Sequence, residues 1–288
     1  MRLLLTGRNG QVGWALERAL APLGEVIATD RSTLDLADAD AIRRVVRELK
    51  PEVVVNAAAY TAVDRAESEA ELALRINATA PGVLAEEAKR LGALLLHYST
   101  DYVFDGIKTT PYSENDAPNP QSVYGESKLA GEKAVRAAGG RHLILRTGWV
   151  YGPRGKNFLL TILRLARERE ELRVVNDQRA APTSAVALAS ATTDILRRHG
   201  VTATGLFHVA ASGETTWFGF AEAIVARARP ALARFPRVVP IASTEYPTPA
   251  RRPAYSVLDC AKASRALGVR LADWQVGLDE VWQRLPSS

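Results

Sequence analysis

The sequence predicts an α/β protein built on a doubly wound parallel sheet, followed by a smaller C-terminal α/β unit. Short apolar runs alternate with amphipathic stretches from Arg2 to Thr147, as the strands and helices of such a sheet do. The first run passes through a glycine-rich turn directly into a helix-like segment. Beyond Trp149 the rhythm loosens, which puts the first domain at residues 1–150 and a second mainly at 151–288, with part of 176–212 packing back on the first.

A chain of 288 residues can bury a sizeable core in one or two tightly joined domains. Its 47% hydrophobic and 24% charged residues are those of an ordinary soluble globular protein. The net charge of +5 mildly favours anionic ligands. The basic residues, as in Arg43-Arg44-Val45-Val46-Arg47, are scattered along helix-like segments and read as solvated faces, so no nucleic acid partner is expected. Cys260 is the single cysteine, which excludes an intrachain disulfide and a Cys-based zinc site. His97, His142, His199 and His208 lack metal-ligand spacing. No apolar run approaches the roughly 20 residues that span a bilayer, and Met1 leads into a strand without a signal-peptide pattern. A cytoplasmic, reducing setting with no membrane partner is the expectation.

Arg2 to Thr6 reads as the first strand, Gly7-Arg8-Asn9-Gly10-Gln11-Val12-Gly13 as the turn, and Trp14 to Leu20 as an amphipathic helix. Gly7 permits the tight turn, Gly10 lets the backbone approach a pyrophosphate, and Gly13 lets helix and strand pack closely. The phosphates then meet the positive end of the helix, so a dinucleotide is expected here. Gly24 to Asp30 reads as the second strand. Asp30 lies where an acidic residue takes the adenosine ribose hydroxyls. Arg31 follows and could meet a 2′-phosphate, so NAD and NADP both stay open. Leu34-Asp35-Leu36 is a candidate edge of the adenine pocket before a helix over Ala39 to Leu49.

Pro51 to Ala59 reads as a buried strand ending in small residues, over which a ligand can lie. Tyr60 to Asp64 continues the loop, and Asn77 further on is either functional or a polar helix residue bonding backbone. Gly92 to Tyr98 is the next strand, leading to Ser99-Thr100-Asp101. Ser99 and Thr100 are both candidate site hydroxyls, because neighbours on a strand point to opposite faces. A breaker, Pro118-Asn119-Pro120, precedes Tyr124-Gly125-Glu126-Ser127-Lys128, and His142 to Thr147 is the next strand. Residues four apart on a helix share a face. An ammonium at Lys128 would draw the Tyr124 phenol down from its usual pKa of about 10. Tyr124 is then an acid able to protonate a developing alkoxide. The sheet these elements build is Rossmann-type.

The motifs together resemble the extended short-chain dehydrogenase/reductase family. They are Gly7/Gly10/Gly13, Asn56-Ala57-Ala58-Ala59, Ser99-Thr100-Asp101 and Tyr124-x-x-x-Lys128. Further stretches, His97 to Phe104, Arg146 to Tyr151 and Tyr246 to Pro253, are similar to the branch that reduces 4-keto nucleotide-sugars. The likeness covers nearly the whole chain. It implies reduction of the 4-keto group of dTDP-4-dehydro-L-rhamnose by NADPH or NADH, the last step towards dTDP-L-rhamnose. It implies Thr100, Tyr124 and Lys128 as the catalytic trio, with Lys128 also on the nicotinamide ribose. Cofactor contacts carry over to Gly7, Gly10, Gln11, Val12, Gly13, Asp30, Arg31, Asp35, Leu36, Ala59, Tyr60, Thr61, Tyr98, Tyr124 and Lys128. Substrate contacts carry over to Thr100, Asp101 and Trp149. Some members bind magnesium through acidic residues at a dimer interface. Beyond Glu17 no acidic cluster matches, so no metal is expected, and the chain is expected as a monomer or homodimer.

In the second half, Asn157-Phe158 opens a helix to about Glu170, and Asn157 is a further candidate substrate residue. Gly205 to Ala210 reads as a strand and Thr216 to Arg227 as a helix. In the proline-rich loop Pro247 to Pro253, Arg251-Arg252 could grip a nucleotide diphosphate bidentately, with Arg252 the candidate, or form a solvated turn. Related activities are disfavoured. A 4,6-dehydratase carries a carboxylate where this chain has Tyr102, and a 3,5-epimerising enzyme a Cys/His pair that Cys260 is too remote to supply. A 4-epimerase, another nucleotide-sugar reductase, or a non-catalytic NADP-binding regulatory subunit stay as alternatives.

Overall fold

The computed structural model describes residues 1–231 and 235–285; residues 232–234 and 286–288 of the expected second domain lie outside them. Strands β1 (Arg2–Thr6), β2 (Glu25–Thr29), β3 (Val53–Asn56), β4 (Leu94–Thr100) and β5 (His142–Thr147) join the Gly205–His208 strand in one sheet. Its order is Gly205–His208, β5, β4, β3, β1, β2, and every ladder is parallel. Strands covered on both faces read as continuous apolar runs, because each successive side chain is buried in turn. Leu3, Leu5, Val55, Leu96 and Leu145 face helix α1 (Gln11–Ala19) and the Ala185–His199 helix. Leu4, Val54, Leu95 and Ile144 face α2 (Ala39–Leu49), the Ala80–Leu91 helix and the Val123–Ala138 helix. Each such side chain contributes about 1.5–3 kcal/mol by leaving water. The two layers fix the sheet, and the sheet fixes the positions of its polar carboxyl ends.

The strand ends differ from the expectation in a consistent way. The third strand stops at Asn56, so Ala57 to Ala59 already run as loop over the sheet edge. The fourth starts later and runs to Thr100, carrying both Ser99 and Thr100 within the sheet. The helix after Asn157 ends at Glu168 instead of Glu170, because a strand over Glu171–Val175 begins there. That strand pairs in parallel with Arg237–Ile241. Together with helices Phe158–Glu168, Trp217–Ala228 and Trp274–Trp282 it surrounds a separate apolar cluster. The Gly205–His208 strand, by contrast, extends the main sheet beside β5.

Local sequence sets the helix that carries Tyr124. Ser122 caps it, its hydroxyl accepting from the Gly125 amide at 3.2 Å, a contact worth about 1 kcal/mol. The helix terminates at Gly139 with φ +69°, a conformation in which a side chain would be strained. Among the described residues, no helix is long and apolar enough to cross a membrane.

Candidate active site

The glycine turn joins β1 to α1 at the carboxyl edge, beside the point where the strand order reverses. Gly7 has φ +78°, and a Cβ there would lie 2.8 Å from the Ala58 backbone. A Cβ on Gly13 would lie 2.0 Å from the Gly7 carbonyl. No side chain caps α1, so its first amides have no partner inside the helix and point outward. This is an anion cradle that a pyrophosphate fits. Gln11 stands at the helix start, its Nε2 donating to the Val150 carbonyl at 3.3 Å while its buried Oε1 has no partner. Gly13→Ala is expected to weaken dinucleotide binding roughly tenfold or more, since backbone must shift to admit the methyl group. A fluorescence titration of the folded variant would measure it.

Asp30 directly follows β2, and hydrogen bonds from the Ser32 hydroxyl and neighbouring amides hold its carboxyl down to about 2. Asn9 of the glycine turn also donates to it, at 3.1 Å. Among the described residues Arg31 makes only a long contact with Asp35, 3.7 Å, and is exposed, which leaves its guanidinium available to a 2′-phosphate. Leu36 departs from the expectation: its side chain is buried in the core with Leu34, so only backbone there can border a ligand. Val12 likewise packs against the core.

The loop after β3 is clamped by Asn77. The Tyr60 amide donates to Asn77 Oδ1 at 2.8 Å, and Asn77 Nδ2 donates to the Tyr60 carbonyl at 3.0 Å. Nδ2 also lies 3.0 Å from the Ser127 hydroxyl on the Tyr124 helix. Asn77 sits in a π-helical turn, Arg75–Thr79. Of its two readings the backbone-bonding one holds, and it fixes Ala59, Tyr60 and Thr61 relative to Lys128.

Alternation along β4 separates the two candidate hydroxyls. Ser99 donates to buried Glu132 on the helical layer. Thr100, at the strand end, faces Tyr124. It donates to Asp101 Oδ1 at 3.1 Å and accepts from the Tyr102 amide at 3.2 Å. Tyr102 packs edge-on to the Tyr124 ring, with centroids 5.6 Å apart. Lys128 Nζ is buried, donating to the Tyr98 carbonyl at 2.7 Å and lying 3.5 Å from His97 Nε2.

This geometry overturns one expectation. Lys128 does not draw the phenol down. Burial pushes Tyr124 up to about 12, the Thr100 hydroxyl opposing and the Asp101 carboxylate reinforcing the rise. Burial also pulls Lys128 down to about 8, against the pull of Glu132. Desolvation dominates because Lys128 is buried and Tyr124 is half-buried, its ring packed against Tyr102. Tyr124 is therefore firmly protonated at neutral pH, as a proton donor must be.

The remaining candidates divide. Tyr98 turns its side chain to the other layer, its hydroxyl on Thr192, so only its carbonyl reaches the site. The Asp101 carboxylate is buried, accepting from the Ser256 hydroxyl at 2.6 Å, and burial pushes it up to about 6. It positions Thr100 from behind. Trp149 adopts φ +48°, strained for a bulky residue, and stacks on Trp217 with centroids 3.4 Å apart. Asn157 is not free for a sugar: Oδ1 caps its helix at Leu160, and Nδ2 donates to the Gly152 and Arg154 carbonyls. Arg252 does not stand open to a diphosphate either. Its guanidinium donates to Asp64 Oδ2 at 2.8 Å and holds that carboxyl below its usual range, pinning the proline-rich loop to the segment after Tyr60. Among the described residues, no group of three or more His, Cys, Asp or Glu comes together as a metal site would need.

Ser256, Trp217 and His97 were not singled out as site residues by the sequence. His97 alone gave a signal, since it interrupts an apolar strand facing the Lys128 helix.

A glycine cradle on a doubly wound sheet, with Tyr and Lys one helical turn apart at its carboxyl edge, is the architecture of a dinucleotide-dependent short-chain reductase. The RmlD substrate binding domain family matches residues 1–287, and the chain belongs to that family. A dTDP-4-dehydrorhamnose reductase from Burkholderia thailandensis is 51% identical over 96% of this chain and 97% of its own length. One from Escherichia coli K12 is 47% identical over 99% of this chain and 98% of its own. A dTDP-4-dehydrorhamnose reductase from Bacillus anthracis, solved in complex with NADP, superposes with a TM-score of 0.92 at 34% identity. That superposition covers 98% of this chain and 99% of the other.

Proposed function

We propose that this protein reduces the 4-keto group of dTDP-4-dehydro-L-rhamnose to give dTDP-L-rhamnose, using NADPH or NADH, as a step towards cell-surface polysaccharide. Full-length similarity to reductases of that name supports the substrate. The observation that carries the chemistry is a Tyr124 phenol kept protonated beside the Thr100 hydroxyl.

The α1 amides, Asp30, Arg31, the Ala59–Thr61 segment and Lys128 are the residues to hold the cofactor, which supplies hydride when bound. The ketone oxygen gains negative charge as carbon is reduced, and a donor aimed at it lowers the barrier. Tyr124 gives its proton to that oxygen. Thr100, fixed by Asp101, orients the phenol. Trp149 and Trp217 offer an aromatic wall for the sugar. The second half of the chain serves as the substrate domain, with Arg252 holding the proline-rich loop over the site. We extend the proposal to a cytoplasmic enzyme, monomer or homodimer.

The test is loss of nicotinamide absorbance on adding dTDP-4-dehydro-L-rhamnose to the purified protein. Turnover with NADPH is expected, and with NADH to a lesser or equal degree. A folded protein that binds cofactor and leaves the ketone untouched would sink the reading in favour of a regulatory subunit. Interconversion of sugar epimers without net oxidation of cofactor would favour a 4-epimerase.

A further inference from the structure

Three polar side chains lie in one row across the middle of the sheet. The register aligns Thr6 with Asn56 and Asn56 with His97. All three are essentially inaccessible to solvent, on the face that carries Leu4, Val54 and Leu95. An unpaired polar group there would cost about 1–3 kcal/mol, so the row must satisfy itself, and it does so in one direction. The Ala58 amide reaches the Thr6 hydroxyl at 3.4 Å. An amide only donates, so the Thr6 proton turns to Asn56 Oδ1, 2.7 Å away. Asn56 then presents Nδ2 to His97 Nδ1 at 3.1 Å. Because Nδ2 is a donor, Nδ1 must carry the lone pair. In a neutral imidazole the proton then sits on Nε2, the nitrogen 3.5 Å from Lys128 Nζ.

An N–H aimed at an ammonium is repelled. Aimed at an amine, it is a hydrogen bond. Lys128 as an amine donates once to the Tyr98 carbonyl and accepts from His97, with its polar groups satisfied on both sides. We propose that His97 is a positioning residue for Lys128, held by Thr6 and Asn56 in the Nε2–H tautomer so that it supports the lysine's amine form. Lys128 can therefore release and regain a proton during turnover without losing its place. Burial acts in the same direction on Lys128, and Glu132, one turn along the same helix, acts against it. Tyr124 is the titratable neighbour one turn before. Burial and Lys128 together keep His97 itself neutral.

The tautomer can be read directly, without substrate, from long-range proton–nitrogen correlations of histidine-labelled protein. The wild type is expected to show Nε2–H for His97 at neutral pH. An Nδ1–H pattern would overturn the proposal. Asn56→Asp offers only lone pairs to Nδ1, so it forces the proton onto Nδ1 and turns the Nε2 lone pair towards Lys128. The Lys128 limb of kcat/KM against pH is then expected to move upward by roughly one unit, a tenfold gain in proton affinity. A switched tautomer with an unmoved profile would equally overturn it. The pH arm rests on the proposed reduction, whereas the tautomer arm does not. Loss of the proposed substrate thus reads differently from loss of this inference, and the wild-type spectrum decides the tautomer even if the variant does not fold.

Discussion

Tyr124→Phe is expected to bind dinucleotide normally and to reduce the ketone about 10²–10⁴-fold more slowly than the wild type, the usual contribution of a positioned general acid. The substitution removes one oxygen and leaves the ring against Tyr102, so kcat should carry the loss, with KM little changed. The pH dependence distinguishes a lost proton donor from a disturbed pocket. Burial raises the phenol to about 12. Reduction needs the protonated form, which is present at all pH values below about 12, so this group imposes no loss near neutrality. The reverse oxidation needs the phenolate, whose fraction rises tenfold per pH unit until that value is reached. The wild type should therefore oxidise dTDP-L-rhamnose faster as pH rises, and the Phe variant should lack that rise. Stopped-flow absorbance at several pH values, beside a cofactor titration, would check both statements. Equal rates in the two proteins would move the proton donor elsewhere.

What was legible in the sequence follows the range of the forces involved. Strands β1, β3, β4 and β5 could be read because burial on both faces makes each largely apolar before its polar carboxyl end, and α2 over Ala39–Leu49 was equally legible. The cradle could be read because Gly7 and Gly13 are required by local backbone geometry. Tyr124 and Lys128 could be paired because four residues make one turn. Partners distant in the chain were not legible. Arg252 is ion-paired with Asp64, 188 positions away, and neither residue type announces that choice. Asn157 suits a helix cap as well as a ligand, and only the carbonyls of Gly152 and Arg154 decide between them. The sign of the Tyr124 shift is illegible in the sequence for a related reason. Charge attraction can be inferred from spacing, but desolvation depends on everything packed around the pair, and here desolvation is larger.

Glu132→Ala is expected to be the most damaging substitution for stability, at about 3–5 kcal/mol. Arg146 and Glu132 meet bidentately at 2.8 and 2.7 Å, with side chains only 2% and 3% exposed. Removing the carboxylate strands a guanidinium under the sheet edge, its Nη1 already without a partner and its face against Phe104. It also strips the Ser99 hydroxyl of its acceptor, one residue from Thr100. A loss of that size lowers the thermal midpoint by on the order of 10 °C, measurable by calorimetry with dinucleotide absent. Two comparisons isolate the cause. Glu168→Ala removes an exposed partner of Arg164, 2.7 Å away, and should change stability by no more than about 0.5 kcal/mol. Replacing Arg146 and Glu132 together by Met and Leu should recover most of what Glu132→Ala loses, because the cost lies in the uncompensated charge more than in the absent attraction. If the double variant is as unstable as the single one, the hydrogen-bonded attraction itself is what Glu132 supplies, through Arg146 and Ser99, because Met and Leu restore the volume and leave no stranded charge.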